Sequence, residues 1–255
     1  MKLLRIVTIV LVVLAATHFA RSQAVAVTGP QPVSFSAAGE TVHGVLYRPK
    51  AAGRYPAIIV IHEWWGLNDW VKQQAEMFAS HGYVTLAVDL YRGQVATDQE
   101  MAHELMRALP QDRGVAYLRG ADRYLKSLSY VRKDRIGAVG WCMGGSFALQ
   151  FAIAEPTLRA VAINYGAPDF DPAALKKIHA AILGNYGAQD RGITPADIQR
   201  FAAEMKKLGH PIDVKEYPDA GHAFQNPNNK GGYRAADTQD ADQRMFAFFA
   251  KYLKR

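Results

Sequence analysis

The sequence predicts an α/β fold with a mostly parallel, doubly wound sheet that begins with an antiparallel hairpin. From about residue 55 onward, short apolar runs rich in β-branched residues alternate with segments of helical periodicity, and parallel strands joined by helices give this pattern. Two segments of alternating polarity come before it and predict the hairpin. With 255 residues, 49% of them hydrophobic, the chain is long enough for one domain with a full core.

Each element is predicted by its own pattern. Alternation predicts the hairpin strands at residues 33–36 and 41–47 and an outer strand at 212–217. Continuous apolar runs are typical of strands covered on both faces, and they occur at 57–61, 83–88, 135–139, 158–163 and 180–186. Helices are predicted at 68–80, 99–109, 114–128, from 144 onward, at 194–208 and at 236–253.

Residues 1–24 have the pattern of a secretory signal peptide. A short basic region precedes an apolar run at 6–16, and small residues then fit cleavage after Ala24 or after Ala26. The run is shorter than the roughly 20 residues needed to span a bilayer, although an uncleaved anchor is the alternative. We therefore expect a periplasmic or secreted domain at 25–255, with no stable membrane anchor after cleavage.

The charge pattern argues against nucleic-acid binding. Removal of Lys2, Arg5 and Arg21 with the signal lowers the formal net charge from +7 to +4, since 27 basic residues then face 23 acidic ones. The remaining basic residues are scattered, and no basic stripe is interleaved with aromatic residues. We expect a small-molecule substrate and no nucleic-acid partner.

Cys142, the only cysteine, lies in the segment Gly-Trp-Cys-Met-Gly. An apolar run precedes it and a helix start rich in small residues follows, which predicts a strand, a sharp turn and a helix. This is the pattern of a nucleophile elbow, with Cys where Ser is usual, and its glycines avoid steric clashes. The alternative is a small buried hydrophobic residue. Exported proteins usually keep structural cysteines in pairs, so an unpaired cysteine favours a functional thiol.

A cysteine nucleophile needs a base, and the base needs a carboxylate to orient it. With this kind of elbow the chain order is nucleophile, acid, histidine. Asp190 follows a predicted strand 48 residues after Cys142, and His222 follows the last predicted strand 32 residues later. The alternatives are a helix-capping or turn residue for Asp190 and a surface histidine for His222.

The segment His-Glu-Trp-Trp-Gly follows the first buried strand. It is not the zinc motif with histidine at both ends, because Gly66 occupies the position of the second histidine, and we expect no metal. Glu63 lies between an apolar run and two tryptophans, where solvation is poor; a surface salt bridge is the alternative. The backbone N–H groups of Trp64 and Met143 are expected to form an oxyanion hole.

Together these motifs resemble the dienelactone hydrolase family of the α/β-hydrolase superfamily, over residues from about 30 to 253. The resemblance is carried by Gly-x-Cys-x-Gly-Gly, the loop glutamate, Asp-Leu-Tyr at 89–91, Asn-Tyr-Gly at 164–166, Gly-x-x-Asp and Gly-His-x-Phe. It implies an α/β-hydrolase fold and a triad of Cys142, His222 and Asp190. It also implies that Glu63 accepts the thiol proton when substrate binds.

The expected substrate-binding residues are Tyr91, Arg92 and Trp65. Family members that cleave dienelactone hold its carboxylate with one arginine after Asp-Leu-Tyr and another just after the catalytic histidine. Arg92 follows Asp-Leu-Tyr one position earlier than expected, and residues 223–227 contain no arginine. An amide does not replace a bidentate guanidinium, so the departure puts the anionic lactone in question but not ester or lactone hydrolysis.

These features predict an exported, monomeric hydrolase that cleaves a small ester or lactone through an acyl-cysteine, without a metal or organic cofactor. One alternative is a carboxylesterase that acts on larger esters. The other is a non-catalytic module of the same fold that binds a small ligand. The presence of all three residues of the expected triad favours an enzyme.

Overall fold

The computed structural model describes residues 24–255, and its eight strands form one sheet. The expected signal peptide, apart from its last residue, lies outside the described residues. The strands are β1 (Gln31–Ala37), β2 (Glu40–Tyr47), β3 (Tyr55–Ile61), β4 (Val84–Val88), β5 (Val131–Trp141), β6 (Ala160–Asn164), β7 (Ala181–Gly187) and β8 (Ile212–Tyr217).

Their spatial order is β1-β2-β4-β3-β5-β6-β7-β8. The strands β1 and β2 form the predicted antiparallel hairpin, and β2 also pairs antiparallel with β4. From β4 to β8 every neighbouring pair is parallel. The predicted doubly wound sheet is confirmed, and it brings the carboxyl ends of β3 to β8 to one edge, where ligands bind in such sheets.

The helices are α1 (Asp69–Ser80), α2 (Gln99–Arg107), α3 (Gln111–Ser127), α4 (Met143–Ala154), α5 (Pro172–Leu175), α6 (Pro195–Lys207) and α7 (Ala235–Phe249), and a π-helical turn (Ala250–Lys254) follows α7. Thr194 caps α6 in a capping box with Asp197. The sequence did not predict α5, which has only four residues. It also placed the start of α3 three residues late, because Pro110, at the N-cap position, begins the helix.

Apolar layers cover both faces of the sheet. On one face Ile59 packs with Leu118 of α3 and Phe151 of α4. On the other, Ile58 packs with Val71 of α1 and Phe249 of α7. Full burial of the central strands explains why they read as continuous apolar runs rather than alternating ones. Across residues 24–255, none of the helices has the length and apolar character needed to cross a bilayer.

Candidate active site

Cys142 stands at the tip of a sharp turn between β5 and α4. Its φ of 54° and ψ of −121° lie in a region that residues with a side chain rarely adopt. A Cβ on Gly140 would collide with the backbone of Gly144, and a Cβ on Gly144 would collide with the carbonyl oxygens of Ile61 and His62. The two glycines therefore allow α4 to pack closely against β5 and the end of β3, which places the thiol of Cys142 at the carboxyl edge of the sheet.

A chain of hydrogen bonds joins Cys142 to His222 and Asp190. Nε2 of His222 lies 3.1 Å from Sγ of Cys142, and Nδ1 lies 2.6 Å from Oδ2 of Asp190. Burial alone would lower the pKa of His222, but its bonds to Asp190 and Cys142 raise it above its usual value. Because the negative charge of Cys142 contributes to this increase, the imidazolium is favoured when Cys142 is a thiolate.

Asp190 is fixed by the loop in which it lies. Its Oδ1 accepts hydrogen bonds from the backbone N–H groups of Gly192 at 2.8 Å and Ile193 at 3.2 Å, which leaves Oδ2 for His222. Burial raises the pKa of Asp190, but these bonds and His222 together hold it below the usual value. An ionised carboxylate therefore faces the imidazole.

Glu63 is buried and held by two neutral donors. The hydroxyl of Tyr165 donates to Oε1 at 3.1 Å, and the amide of Asn226 donates to Oε2 at 2.6 Å. Within the described residues, no lysine, arginine or histidine forms an ion pair with this carboxylate. Burial raises the pKa of Glu63 to about 7, against the smaller opposing effects of the two hydrogen bonds and of the charge on His222.

His62 fixes the loop that carries Glu63. Its ring is buried, Nδ1 donates to the carbonyl oxygen of Glu63 at 2.5 Å, and Nε2 accepts the N–H of Leu90 at 3.1 Å. One nitrogen donates and the other accepts, so the ring is neutral, and burial lowers its pKa. The loops after β3 and β4 are thereby joined.

The two expected oxyanion-hole residues follow the carboxyl ends of the neighbouring strands β3 and β5. Met143 is the first residue of α4, where backbone N–H groups lack a partner within the helix. Trp64 lies in the turn after β3, which is closed by a bond from Gly66 N–H to Glu63 O of 3.2 Å. Both residues line the same cavity as Cys142.

That cavity has a volume of about 830 Å³ and opens at the carboxyl edge of the sheet. It is lined by side chains from α2, α3, α4 and the loops, and these include Trp64, Trp65, Met106, Leu109, Phe147, Gln150, His222 and Asn226. Trp65, one of the three expected substrate-binding residues, is thus part of the cavity wall.

Tyr91 and Arg92, in contrast, are not among the residues that line the cavity. The hydroxyl of Tyr91 donates to Sδ of Met143 at 3.1 Å. The guanidinium of Arg92 forms an ion pair of 2.6 Å with Glu40 and also bonds the hydroxyl of Tyr117. The structure therefore gives Arg92 a partner on β2 and no contact with the cavity, so the expectation of a carboxylate-binding arginine is not supported by its placement.

Sequence reasoning did not assign a role to a buried polar network beneath the site. The indole N–H of Trp141 donates to Gln225 at 2.7 Å, and Gln225 donates to Oδ1 of Asn164 at 3.0 Å. Asn185 donates to the same oxygen at 2.9 Å. The residues that follow Trp141, Asn164 and Gln225 are Cys142, Tyr165 and Asn226, so the network ties the nucleophile to the residues that hold Glu63.

The model of the dienelactone hydrolase family matches residues 42–253. The chain belongs to the dienelactone hydrolase family. It is 31% identical to "Protein usf" of Aquifex pyrophilus over 88% of this chain and 99% of the relative. It is 30% identical to a "Putative carboxymethylenebutenolidase" of Methylorubrum extorquens over 80% of this chain and 75% of the relative.

Solved structures give the same result for the fold. A crystal structure described as a "Putative Dienelactone Hydrolase" from Klebsiella pneumoniae superposes with a TM-score of 0.81 at 25% identity, over 89% of this chain and 100% of the other. A dienelactone hydrolase-like promiscuous phosphotriesterase from metagenomic libraries reaches 0.82 at 20% identity, over 89% and 99%. The protein has the α/β-hydrolase fold of the family and is a hydrolase that acts on carboxylic ester bonds.

Proposed function

We propose that this member of the family is an exported enzyme that cleaves an ester or lactone through an acyl-cysteine at Cys142. The observation that carries the proposal is the hydrogen-bonded chain from Cys142 through His222 to Asp190 at the tip of a strained elbow. A cysteine kept in place only for packing would need neither the glycine spacing nor a histidine at 3.1 Å.

The first half of the reaction forms the thioester. Substrate binding lets the Glu63 carboxylate take the proton of the Cys142 thiol, and the thiolate attacks the carbonyl carbon. The N–H groups of Trp64 and Met143 stabilise the oxyanion. The bond to the alcohol oxygen then breaks, and the imidazolium of His222 gives its proton to that oxygen, which leaves an acyl-enzyme and a neutral His222.

The second half releases the acid. Neutral His222 takes a proton from water, and the hydroxide attacks the thioester carbonyl in the same oxyanion site. The carbon–sulfur bond breaks, the thiolate recovers its proton from Glu63, and His222 is again an imidazolium, oriented by Asp190. For a lactone, acid and alcohol remain one molecule. The side chain of His222 is 41% exposed, so water has access to it.

Mass spectrometry of the protein mixed with a chromogenic ester tests the proposal directly. The wild type is expected to gain the mass of the acyl group on the peptide that contains Cys142. Cys142→Ala should lower turnover on the order of 10⁴-fold or more. Turnover near the wild-type rate in Cys142→Ala would exclude a cysteine nucleophile.

A carboxylesterase that acts on larger esters is the second candidate, and the size of the cavity favours it. Its volume of about 830 Å³ lies in the upper part of the range for pockets that bind drug-sized ligands. The ratio of kcat/KM for a long-chain ester to that for the matching acetate distinguishes the two candidates.

Export is proposed from the sequence of residues 1–24, with cleavage after Ala24. The chain makes regular contacts from Val25 onward, since Val25 N–H donates to Ser80 O at 2.7 Å and Lys50 N–H donates to Ala26 O at 2.8 Å. Cleavage after Ala26 would remove both contacts, whereas cleavage after Ala24 keeps them. N-terminal sequencing of protein recovered outside the cytoplasm tests the site, and recovery of the full chain only from the cytoplasm would refute export. A monomer is proposed as well, and its mass in solution tests it.

A further inference from the structure

One wall of the cavity is a single face of α4. Met143, Phe147 and Gln150 line the cavity, and their spacing of four and three residues puts them on the same side of a helix. The helix rises roughly 10 Å from Met143 to Gln150. The cavity therefore extends along α4, away from Cys142.

This wall is apolar over most of its length. Phe147 lies against the N-terminal part of α3, where a Cβ on Gly114 would collide with its ring. Met106 of α2 and Leu109 just after it line the same cavity, as does Trp64 on the elbow side. No charged side chain is included in this part of the lining among the described residues. A group that lies along α4 is thus met by hydrocarbon and aromatic surface.

The far end of the wall is polar and built from side-chain amides. Gln111 of α3 donates to Oε1 of Gln150 at 2.9 Å, and Gln150 donates to Oδ2 of Asp169 at 3.1 Å. Asp169 is itself fixed by the N–H of Asp171, which donates to Oδ1 at 2.9 Å. The second N–H of each glutamine amide and the oxygen of Gln111 have no role in this chain of bonds. They can bind a neutral hydroxyl, while the Asp169 carboxylate disfavours an anion.

Another side of the cavity is formed by the loop after β8, which carries His222, Ala223, Asn226 and Lys230. In the proposed reaction His222 gives its proton to the leaving oxygen, so the alcohol part of the substrate lies on this side. The acyl part then points along α4. This assignment rests on the proposed function.

We propose that the α4 wall is a subsite for an uncharged aromatic acyl group with a hydroxyl at its far end, of the length of a 4-hydroxycinnamoyl group. From carbonyl carbon to hydroxyl oxygen such a group is roughly 8 Å long by ordinary bond lengths. Its ring lies beside Phe147 and Trp64, and its hydroxyl meets the amides of Gln150 and Gln111. A carboxylate in place of the hydroxyl would be separated from the Asp169 carboxylate only by the amide of Gln150, which donates to Asp169.

Ethyl esters of four acids test the subsite with the leaving group held constant: acetate, cinnamate, 4-hydroxycinnamate and 4-carboxycinnamate. We expect the wild type to have its highest kcat/KM for 4-hydroxycinnamate, about 3- to 10-fold above cinnamate for one neutral hydrogen bond. The 4-carboxy ester should be the poorest of the three aromatic substrates. Equal rates for acetate and the aromatic esters would overturn the proposal.

Two variants locate the effect. Gln150→Leu should remove most of the preference for 4-hydroxycinnamate over cinnamate. Because this preference is a ratio of two kcat/KM values measured on the same variant, general damage to the site would not change it. Gln111 is exposed, so Gln111→Leu keeps the test valid if Gln150→Leu does not fold, and it should lower the same ratio. Gln73→Leu, an exposed change on α1 at the other face of the sheet, is the matched control. An unchanged ratio in Gln150→Leu and Gln111→Leu would refute the amide contact.

Calorimetry separates the subsite from the reaction. Binding of ethyl 4-hydroxycinnamate to the Cys142→Ala variant does not depend on turnover. If the wild type hydrolyses no ester yet this variant binds the compound, and binding weakens with Gln150→Leu, the proposed function fails while the subsite stands. If esters are hydrolysed but the compound does not bind, the subsite fails alone.

Discussion

Asn226 donates a hydrogen bond of 2.6 Å to the buried carboxylate of Glu63, four residues after His222 in the same loop. The second donor, Tyr165, is also neutral. A buried carboxylate held by an amide and a phenol keeps its hydrogen bonds but forms no ion pair, and burial raises its pKa to about 7 against the smaller opposing effects of these two bonds and of the charge on His222. Glu63 therefore changes charge near neutral pH, beside the loop that carries the proposed base.

The first prediction concerns the pH dependence of turnover. If Glu63 must be ionised to take the thiol proton, kcat/KM should rise with pH through an apparent pKa near 7. His222, whose pKa is raised, and Asp190, whose pKa is lowered, should not titrate in that interval. Profiles from pH 5 to 9 for the wild type and Glu63→Gln provide the measurement. If kcat/KM of Glu63→Gln, measured on its residual activity, still rises with an apparent pKa near 7, this limb of the pH profile belongs to another group.

The second prediction tests the contact between Asn226 and Glu63. Asn226→Leu removes a donor that lowers the pKa of Glu63, so the same limb should move to higher pH, by about one unit for one bond to a charged group. Asn228→Leu, a change at an exposed residue that also lines the cavity, is the control and should leave the limb in place. A shift to lower pH in Asn226→Leu would contradict the assignment.

Much of this site could be predicted from local patterns, because the steric limits of a sharp turn restrict which residues can occupy its neighbouring positions. Cys142 needs its glycines whatever surrounds it, and the carboxyl ends of parallel strands must meet at one edge. The partner of Arg92 could not be predicted in this way. Glu40 is 52 residues away and reaches Arg92 only because β2 pairs with β4. The role of Asn226 is equally a matter of tertiary contact, although its place just after His222, where an arginine was expected, was a usable signal.

The third prediction is that Asp190 orients His222 and does more than terminate a turn. Asp190→Asn should fold with little change in melting temperature yet lose most of its activity, since an amide that donates to Nδ1 stabilises the wrong tautomer. By analogy with other triads the loss in kcat is expected to be on the order of 10⁴-fold. Unchanged kinetics with a lowered melting temperature would show that the loop bonds from Gly192 and Ile193 are the main role of this carboxylate.

The fourth prediction links Glu63 to stability. Its pKa rises from an ordinary 4.5 to about 7 on folding, so the folded state binds the proton more tightly than the unfolded chain. The free energy of unfolding should therefore fall as pH rises from about 4.5 to 7 and stay low above that interval, by an amount on the order of 3 kcal/mol at most. Glu63→Gln, which has no charge to bury, should gain stability relative to the wild type at pH 8 but not at pH 4.5. Urea unfolding at both values checks this, and equal differences at the two would refute the linkage.

The last prediction concerns how a free thiol survives outside the cytoplasm. The thiolate is the form that is alkylated and oxidised, and an ionised carboxylate nearby opposes a second negative charge. We expect iodoacetamide to label Cys142 slowly in the wild type without substrate at pH 8, where Glu63 is ionised. In Glu63→Gln labelling should be faster because that opposition is removed, while ester turnover should fall because the proton acceptor is lost. Measured by mass spectrometry and a chromogenic assay on the same samples, the two rates must move in opposite directions. If both rise or both fall, Glu63 does not control the thiol, and His222 alone serves as its base.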